Sequence, residues 1–171
     1  YIKAGEQGNV GAMLNLALIH GNENNKKEEE AWYLKAAEAG SAQAQFNLGV
    51  IDKNKKEYRK AEEWYLKAAN QNYVPAYKAI GALYSKKKDY KEAEKWYLKA
   101  LEMGDQSKEI YNNIGILYSK MNEFEKSLYF LEKALKKEPD NKMINCNILE
   151  VKKKLQNSND VDIYIEKCNM D

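Results

Sequence analysis

Residues 61–69, AEEWYLKAA, carry most of their apolar side chains on one side of a predicted helix. Ala61, Tyr65 and Ala68 stand at positions i, i+4 and i+7, while the charged residues fall on other faces. Large and small residues alternate along this stripe, so a second helix can approach over the alanines while aromatic rings fill the space beside them. A single helix of this length is marginally stable in water. The pattern therefore predicts a helix that needs a partner.

The same stripe recurs at a fixed distance. Residues 29–37 read EEAWYLKAA and residues 93–101 read AEKWYLKAL, each 32 residues from the central copy. A second pattern precedes each copy, and it aligns on Ala17, Gly49, Gly81 and Gly115 with steps of 32, 32 and 34 residues. Short, lysine-rich turns separate the two patterns, and Asp89 or Asn122 is well placed to cap the helix that follows. The chain is therefore predicted to be a series of stacked helix hairpins.

The gapped pattern L/I-G-x-L-Y, then A, then W-Y-x-K-A resembles the tetratricopeptide repeat. Residues 35–49, KAAEAGSAQAQFNLG, are similar to the Sel-one-like subtype, whose character extends over residues 1–100. The 32-residue step is shorter than the roughly 34 residues of the tetratricopeptide repeat. The units at 81–149 return to a step of 34 residues. The resemblance implies an all-α fold, a right-handed α-solenoid of about four to five antiparallel helix hairpins. Such arrays serve many unrelated partners, so it does not identify a ligand.

Length and composition set the domain prediction. With 171 residues, 44% of them hydrophobic, the chain can bury one continuous core. We expect a single repeat array over residues 1–157 and a C-terminal cap or tail over residues 158–171. Residues 1–9, YIKAGEQGN, align with residues 33–41, so the chain is expected to begin within a repeat and the compartment is left undecided. No run of apolar residues is long enough to predict a membrane span.

The charges do not point to nucleic acid. The chain has 28 basic and 26 acidic residues, interleaved along its length, and Arg59 is its only arginine. A nucleic-acid surface would need a basic stripe with aromatic residues and arginines for bidentate contacts. The lysine runs are interpreted as solvated surface.

Cysteine and histidine are the residue types that could form structural links or metal sites. Cys146 and Cys168 could pair if the tail folds back, but we expect them to remain small buried thiols. His20 has no cysteine or second histidine at ligand spacing, so no metal site is predicted. No cofactor is predicted either.

The chain shows no motif of catalysis. It lacks the nucleophile elbow, the P-loop and the zinc-protease motif. Its carboxylates recur beside lysines one helical turn away, which is typical of solvated ion pairs. Gly49, Gly81 and Gly115 are expected inside helices at packing crossings. We therefore expect no enzyme and no catalytic residues.

Asparagine recurs at one position of the first helix of the hairpins, at Asn15, Asn47, Asn113 and Asn147. Asparagine in mid-helix costs a few tenths of a kcal/mol relative to alanine, because its amide competes with backbone hydrogen bonds. The tetratricopeptide resemblance implies that first helices line a concave groove, where an amide can grip the backbone of an extended peptide. The alternative is that each asparagine bonds a neighbouring repeat and fixes the stacking.

The residue before each asparagine and the residue three after it are expected to face the same groove. The predicted groove residues are Leu14, Asn15, Leu18, Phe46, Asn47, Val50, Lys78, Asn112, Asn113, Ile116 and Asn147. An apolar entry with Lys78 in the middle suits a peptide that has an apolar anchor and an acidic group or C-terminal carboxylate.

The tail departs from the repeat. Residues 158–168 place Val161, Tyr164, Ile165 and Cys168 at helical spacing, with Ser158, Asn159 or Asp160 as an N-cap, although a strand is also compatible with the pattern. We favour a short capping helix over insertion into a neighbouring copy. The predicted function is an adaptor, monomeric in solution, that binds a peptide or partner protein in its groove. The alternative is a structural segment of a longer array that self-associates through its ends.

Overall fold

The computed structural model describes residues 1–155 and 161–169, and these residues form eleven α-helices and no strands. The helices are α1 (Ile2–Glu6), α2 (Val10–Asn22), α3 (Lys26–Glu38), α4 (Ala42–Asn54), α5 (Tyr58–Ala69), α6 (Val74–Lys86), α7 (Tyr90–Glu102), α8 (Lys108–Lys120), α9 (Phe124–Lys137), α10 (Lys142–Lys154) and α11 (Val161–Asn169). The predicted all-α fold of helix hairpins is confirmed. None of the helices in the described ranges is long and apolar enough to cross a membrane.

The chain forms two compact units that divide within α6. Unit 1 comprises Tyr1–Ile80 and unit 2 comprises Gly81–Asp171. In unit 1, α2 packs on α3, α3 on α4, and α4 on α5. In unit 2, α8 packs on α9, α9 on α10, and α10 on α11. Each helix of these series therefore buries its stripe against its neighbours in sequence.

The alternation of large and small residues produces the core of each unit. In unit 1, Ala61, Tyr65 and Ala68 are fully buried, and the Tyr65 ring lies directly over Gly49 of α4. In unit 2, the ring of Tyr97 lies in the same way over Gly81. The glycines therefore lie inside helices where a large side chain of the partner helix packs directly on them, at packing crossings as predicted.

Most turns between helices place one residue in the left-handed backbone region. In unit 1 these residues are Gly8, Asn24, Gly40, Lys56 and Asn72, and in unit 2 they are Lys88, Gly104 and Asn122. This residue follows the end of one helix, where a left-handed conformation lets the chain leave the helix. Asp89 caps α7 as predicted, by accepting a hydrogen bond from the Glu92 N–H. The prediction that Asn122 caps α9 is wrong, because it holds the left-handed position and Glu123 is the N-cap residue.

Replacing Lys56 by glycine is expected to raise the free energy of unfolding by roughly 0.5–1 kcal/mol. Lys56 has φ of 65°, a conformation that costs an L-residue about 1–2 kcal/mol, partly offset by the greater freedom of glycine in the unfolded chain. Urea denaturation measures the change. Lys53→Gly, inside α4, is the matched control and should lower stability by about 1 kcal/mol. A loss of stability in both variants would contradict the prediction.

The end of the chain differs from the sequence prediction in one respect. The predicted helix is present as α11, but Cys146 of α10 and Cys168 of α11 form a disulfide, with Cα atoms 5.0 Å apart. The expectation of two unpaired thiols is therefore wrong, because α11 runs back along α10. Tyr164 packs against the core cluster of unit 2. The proposed N-cap residues Ser158, Asn159 and Asp160 lie outside the described residues.

Candidate functional site

Unit 1 contains a cleft of about 350 Å³ between α3 and α4. Its α4 side is formed by residues at i, i+3, i+4 and i+7, which are Asn47, Val50, Ile51 and Asn54. Its other lining residues are Lys26, Glu29, Glu30, Tyr33 and Lys55. The cleft therefore combines an apolar strip, carboxamides and charges of both signs, and it includes two of the predicted groove residues, Asn47 and Val50.

Unit 2 contains a smaller cleft of about 140 Å³ among α8, α9 and α10. Its α10 side is again formed by residues at i, i+3, i+4 and i+7, which are Asn147, Glu150, Val151 and Lys154. Its other lining residues are Ile116, Ser119, Lys120 and Leu131. Two predicted groove residues, Ile116 and Asn147, belong to this cleft.

The two clefts use the same stripe of the first helix. In both, the stripe starts at the recurring asparagine, and residues three, four and seven positions later share its helix face. The clefts therefore occur at equivalent positions of the repeat in the two units, although their rims carry different charges.

The amides in the two clefts also bond a neighbouring helix. In unit 2, Asn147 Nδ2 on α10 donates to Asn112 Oδ1 on α8 over 2.9 Å. In unit 1, Asn47 on α4 hydrogen-bonds to the Tyr33 hydroxyl on α3, and this bond lowers the pKa of Tyr33. Burial, and then the Glu29 carboxylate, raise the same pKa, and the net change is upward. These contacts correspond to the stacking role considered above. Because an amide has two N–H donors and an acceptor oxygen, one such bond leaves capacity for a ligand.

Comparison with family models identifies the repeats. Tetratricopeptide-repeat models match residues 10–39, 42–72 and 74–137. The chain belongs to the tetratricopeptide-repeat superfamily. The matches do not separate a Sel-one-like subtype, so that feature of residues 1–100 stays a prediction. A search of curated protein sequences finds no match.

Solved structures of tetratricopeptide-repeat proteins share the fold at low sequence identity. PilF from Pseudomonas aeruginosa has a TM-score of 0.82 and 19% identity, over 96% of this chain and 77% of PilF. YrrB, described as having an unusual peptide-binding site, has a TM-score of 0.77 and 18% identity, over 98% and 89% of the two chains. MamA from Desulfovibrio magneticus RS-1 has a TM-score of 0.78 and 16% identity, over 93% and 92%.

The remaining predicted groove residues lie elsewhere in the repeats. Phe46 packs against two aromatic rings of unit 1. Its ring centroid lies 5.5 Å from that of Tyr65 and 5.4 Å from that of Tyr73. Asn112 is 4% exposed, beneath Asn147. The other five predicted groove residues are exposed or half-buried and lie outside both clefts: Leu14, Asn15, Leu18, Lys78 and Asn113. The structure thus gathers four predicted residues into clefts and distributes the others.

The repeats are tied together by residues that sequence reasoning missed. Gln45, Tyr77 and Asn145 occupy one repeat position, two residues before the recurring asparagine position. Gln45 donates to the Ala37 carbonyl over 3.4 Å, Tyr77 to the Ala69 carbonyl over 3.0 Å and Asn145 to the Pro139 carbonyl over 3.2 Å. Ala37 and Ala69 stand in the last turns of α3 and α5, where carbonyls lack partners within the helix, and Pro139 lies in the turn that follows α9. Each of these side chains therefore ties the start of one helix to the end of the helix before it. The available signal was a donor-bearing residue recurring at that position.

Tyr77→Phe is expected to lower the free energy of unfolding by about 1 kcal/mol, because the buried Tyr77 hydroxyl bonds the Ala69 carbonyl and Asn72 Oδ1, each over 3.0 Å, and this hydrogen bonding is lost. Tyr65→Phe is the matched control. The Tyr65 hydroxyl is buried without a hydrogen-bond partner among the described residues, so its removal should not lower stability. Urea denaturation of both variants provides the measurement. Equal losses in the two would show that the hydroxyl of Tyr77 has no such role.

Within residues 1–155 and 161–169, no group of three or more histidine, cysteine, aspartate or glutamate side chains is arranged to hold a metal. The chemistry available in the clefts is hydrogen bonding, apolar contact and charge. This combination suits reversible binding of a peptide segment.

Proposed function

We propose that this chain is an adaptor whose clefts bind extended segments of partner proteins. The tetratricopeptide-repeat fold typically serves as a non-catalytic scaffold for protein–protein interaction, and this chain has that fold. The observation that carries the finer proposal is the repetition of one stripe, starting at Asn47 and at Asn147, along a cleft in each unit. The peptide-binding site described for YrrB, a protein of the same fold, supports a peptide as ligand.

The proposed binding mode uses the backbone of the ligand. The carboxamides of Asn47 and Asn54 can donate to and accept from peptide groups, whatever side chains the peptide carries. Val50 and Ile51 provide apolar contact between them. A longer ligand would also contact the remaining predicted groove residues.

An acidic group on the ligand is proposed for the cleft of unit 2. Lys120 and Lys154 lie on its rim, and its lining carboxylate, Glu150, is paired with Lys154 over 2.9 Å. Ser119 and Asn147 add donors. A C-terminal carboxylate or an acidic side chain would find two ammonium groups and these polar side chains there.

Peptide display against the purified chain tests this function. Wild-type protein is compared with Asn47→Ala/Asn147→Ala and with the control Asn70→Ala/Gln106→Ala, which changes exposed polar residues outside both clefts. Circular dichroism must show that all three are equally helical. We expect peptides enriched by the wild type and the control to be lost with the cleft variant. Identical enrichment by all three would reject the clefts as the binding site.

Sedimentation of the same samples tests the proposed monomer. A mass independent of concentration agrees with an adaptor that meets its partners as a single copy. A mass that rises with concentration, together with no peptide enrichment, would support self-association instead.

A further inference from the structure

We propose that the disulfide between Cys146 and Cys168 is a redox switch for the cleft of unit 2. In the oxidised chain it keeps α11 docked on α10, the helix that forms one side of that cleft, and a dithiol reductant releases it. This inference rests on the peptide-binding function proposed above and assigns the regulation of that site. The packing of the last hairpin, α10 and α11, carries it.

The last hairpin lacks the packing of a large residue on a small one that joins the hairpin before it. In that earlier hairpin, the fully buried Leu131 of α9 packs directly on Gly115 of α8. The aligned residue of α10 is the larger Leu149, and the residue sixteen positions later, Ile165 of α11, is 37% exposed. The second helix is also shorter, with nine residues in α11 against 14 in α9. The interface of α11 with α10 is therefore the weaker of the two.

The noncovalent contacts of α11 are of two kinds. Tyr164 packs against the core cluster of unit 2, and its ring centroid lies 4.7 Å from Lys152 Nζ of α10. Lys167 pairs with Asp140 over 3.1 Å, but the Asp140 side chain is almost fully exposed, and exposed pairs contribute little. A nine-residue helix is not stable alone, so its structure depends on staying docked.

The disulfide stands where the other hairpins rely on small buried residues. Cys168 follows Leu149 by nineteen residues, and the residues at the same distance in the earlier hairpins are alanines with no exposed surface: Ala36, Ala68, Ala100 and Ala134. The covalent bond to Cys146 thus replaces close packing in this hairpin. Both cysteines are half-buried rather than enclosed in the core, so a small thiolate can approach the bond.

Helix α10 connects the docking of α11 to the cleft. Val151 lines the cleft and belongs to the core cluster against which Tyr164 packs. Asn147, which lines the cleft and bonds Asn112 of α8, directly follows Cys146. Once α11 leaves, α10 loses one of the two helices it packs on and spends less time in the arrangement that forms the cleft. The apparent affinity for a ligand falls with the fraction of chains in that arrangement.

The redox step is a thiol–disulfide exchange with a dithiol. One thiolate of the dithiol attacks a sulfur of the bond between Cys146 and Cys168 and forms a mixed disulfide, which the second thiol of the dithiol then displaces. The S–S bond of the chain is broken, and the two cysteines together gain two electrons and two protons. The dithiol loses the same and becomes a disulfide. A disulfide oxidant reverses the step.

The test uses the pentapeptide Ac-Ala-Val-Ala-Val-Asp with a free C-terminal carboxylate, titrated into the full chain. Backbone amide resonances of Ser119 and Asn147 are followed by NMR in the oxidised chain and in the chain reduced with dithiothreitol. We expect the peptide Kd to be about tenfold higher in the reduced chain, which corresponds to a tenfold smaller binding-competent fraction. Removal of dithiothreitol and reoxidation should restore the affinity. Hydrogen exchange without peptide should be faster in α10 after reduction and unchanged in α8.

Cys146→Ser/Cys168→Ser is the control for effects of the reductant itself. This variant should bind as weakly as the reduced chain, with or without dithiothreitol. Equal affinity of the oxidised and reduced wild type would overturn this inference and leave the peptide-binding function standing. Binding to neither state would contradict the peptide function of this cleft and its regulation together. Faster exchange throughout α8 and α9 after reduction would show a general stabilising bond instead of a switch.

Discussion

Reduction of the disulfide between Cys146 and Cys168 is expected to destabilise the docked position of α11 by about 3 kcal/mol. The two cysteines are 22 residues apart. In the chain-entropy account, a disulfide that closes a loop of this length lowers the conformational entropy of the undocked chain. This favours the docked state by about 3 kcal/mol. A nine-residue helix is too short to be stable alone. We therefore expect α11 to undock and lose its helical structure while the helix pair α8 and α9 stays folded.

Hydrogen exchange with and without reductant measures this effect. The amides of residues 161–169 should exchange much faster after reduction, and those of α8 and α9 should be unchanged. The chain has only two cysteines, so the reductant can act on one intramolecular disulfide only. Cys146→Ser/Cys168→Ser should reproduce the reduced state without reductant. Equal protection of α11 in both states would show that its side-chain contacts suffice to hold it.

Gly49→Ala is expected to lower the free energy of unfolding by about 2 kcal/mol. The new Cβ would lie 2.5 Å from two atoms of the Tyr65 ring and 3.1 Å from the Ala61 carbonyl oxygen. Tyr65 is fully buried, so its ring cannot turn aside without disturbing α5. Overpacking of this kind typically costs about 1–3 kcal/mol. The better helix propensity of alanine returns at most about 1 kcal/mol.

Gly11→Ala is the matched control for that substitution. Gly11 is exposed on α2, and a Cβ added there would have Asn9 Oδ1 as its nearest neighbour, at an ordinary 3.4 Å. This variant should be more stable than wild type by up to about 1 kcal/mol, because only the propensity term remains. Urea denaturation of both variants gives the comparison. A gain in stability for Gly49→Ala would mean that α4 and α5 do not need their close approach.

The helices and their pairing were predictable because the physical requirement is local. The stripe of Ala61, Tyr65 and Ala68 specifies a helix and a partner, and the same stripe recurs along the chain. The small residue opposite each large side chain could also be predicted, since Gly49, Gly81 and Gly115 align and face Tyr65, Tyr97 and Leu131. In the first hairpin the aligned residue is Ala17, so the fold as such accepts a methyl group there. Whether a methyl group fits at a given crossing depends on how closely the two helices of that hairpin approach each other.

The binding positions were predictable only in part. A helical period places Asn47 and Val50 on one face, and both line the cleft of unit 1. The same reasoning grouped Phe46 with them, but Phe46 packs against Tyr65 and Tyr73. Adjacent residues on a helix point about 100° apart, so one can face a cleft while the next faces a partner helix. The choice between them depends on where the neighbouring helix lies.

The sequence by itself determined the helices, their pairing and the repetition of one hairpin, because each depends on residues within about one repeat of one another. The tertiary structure alone decided the disulfide between Cys146 and Cys168, the ties made by Gln45, Tyr77 and Asn145, and the charges that meet around each cleft. These features join residues from different helices. Their distances follow from how the helices pack, which a one-dimensional pattern does not record.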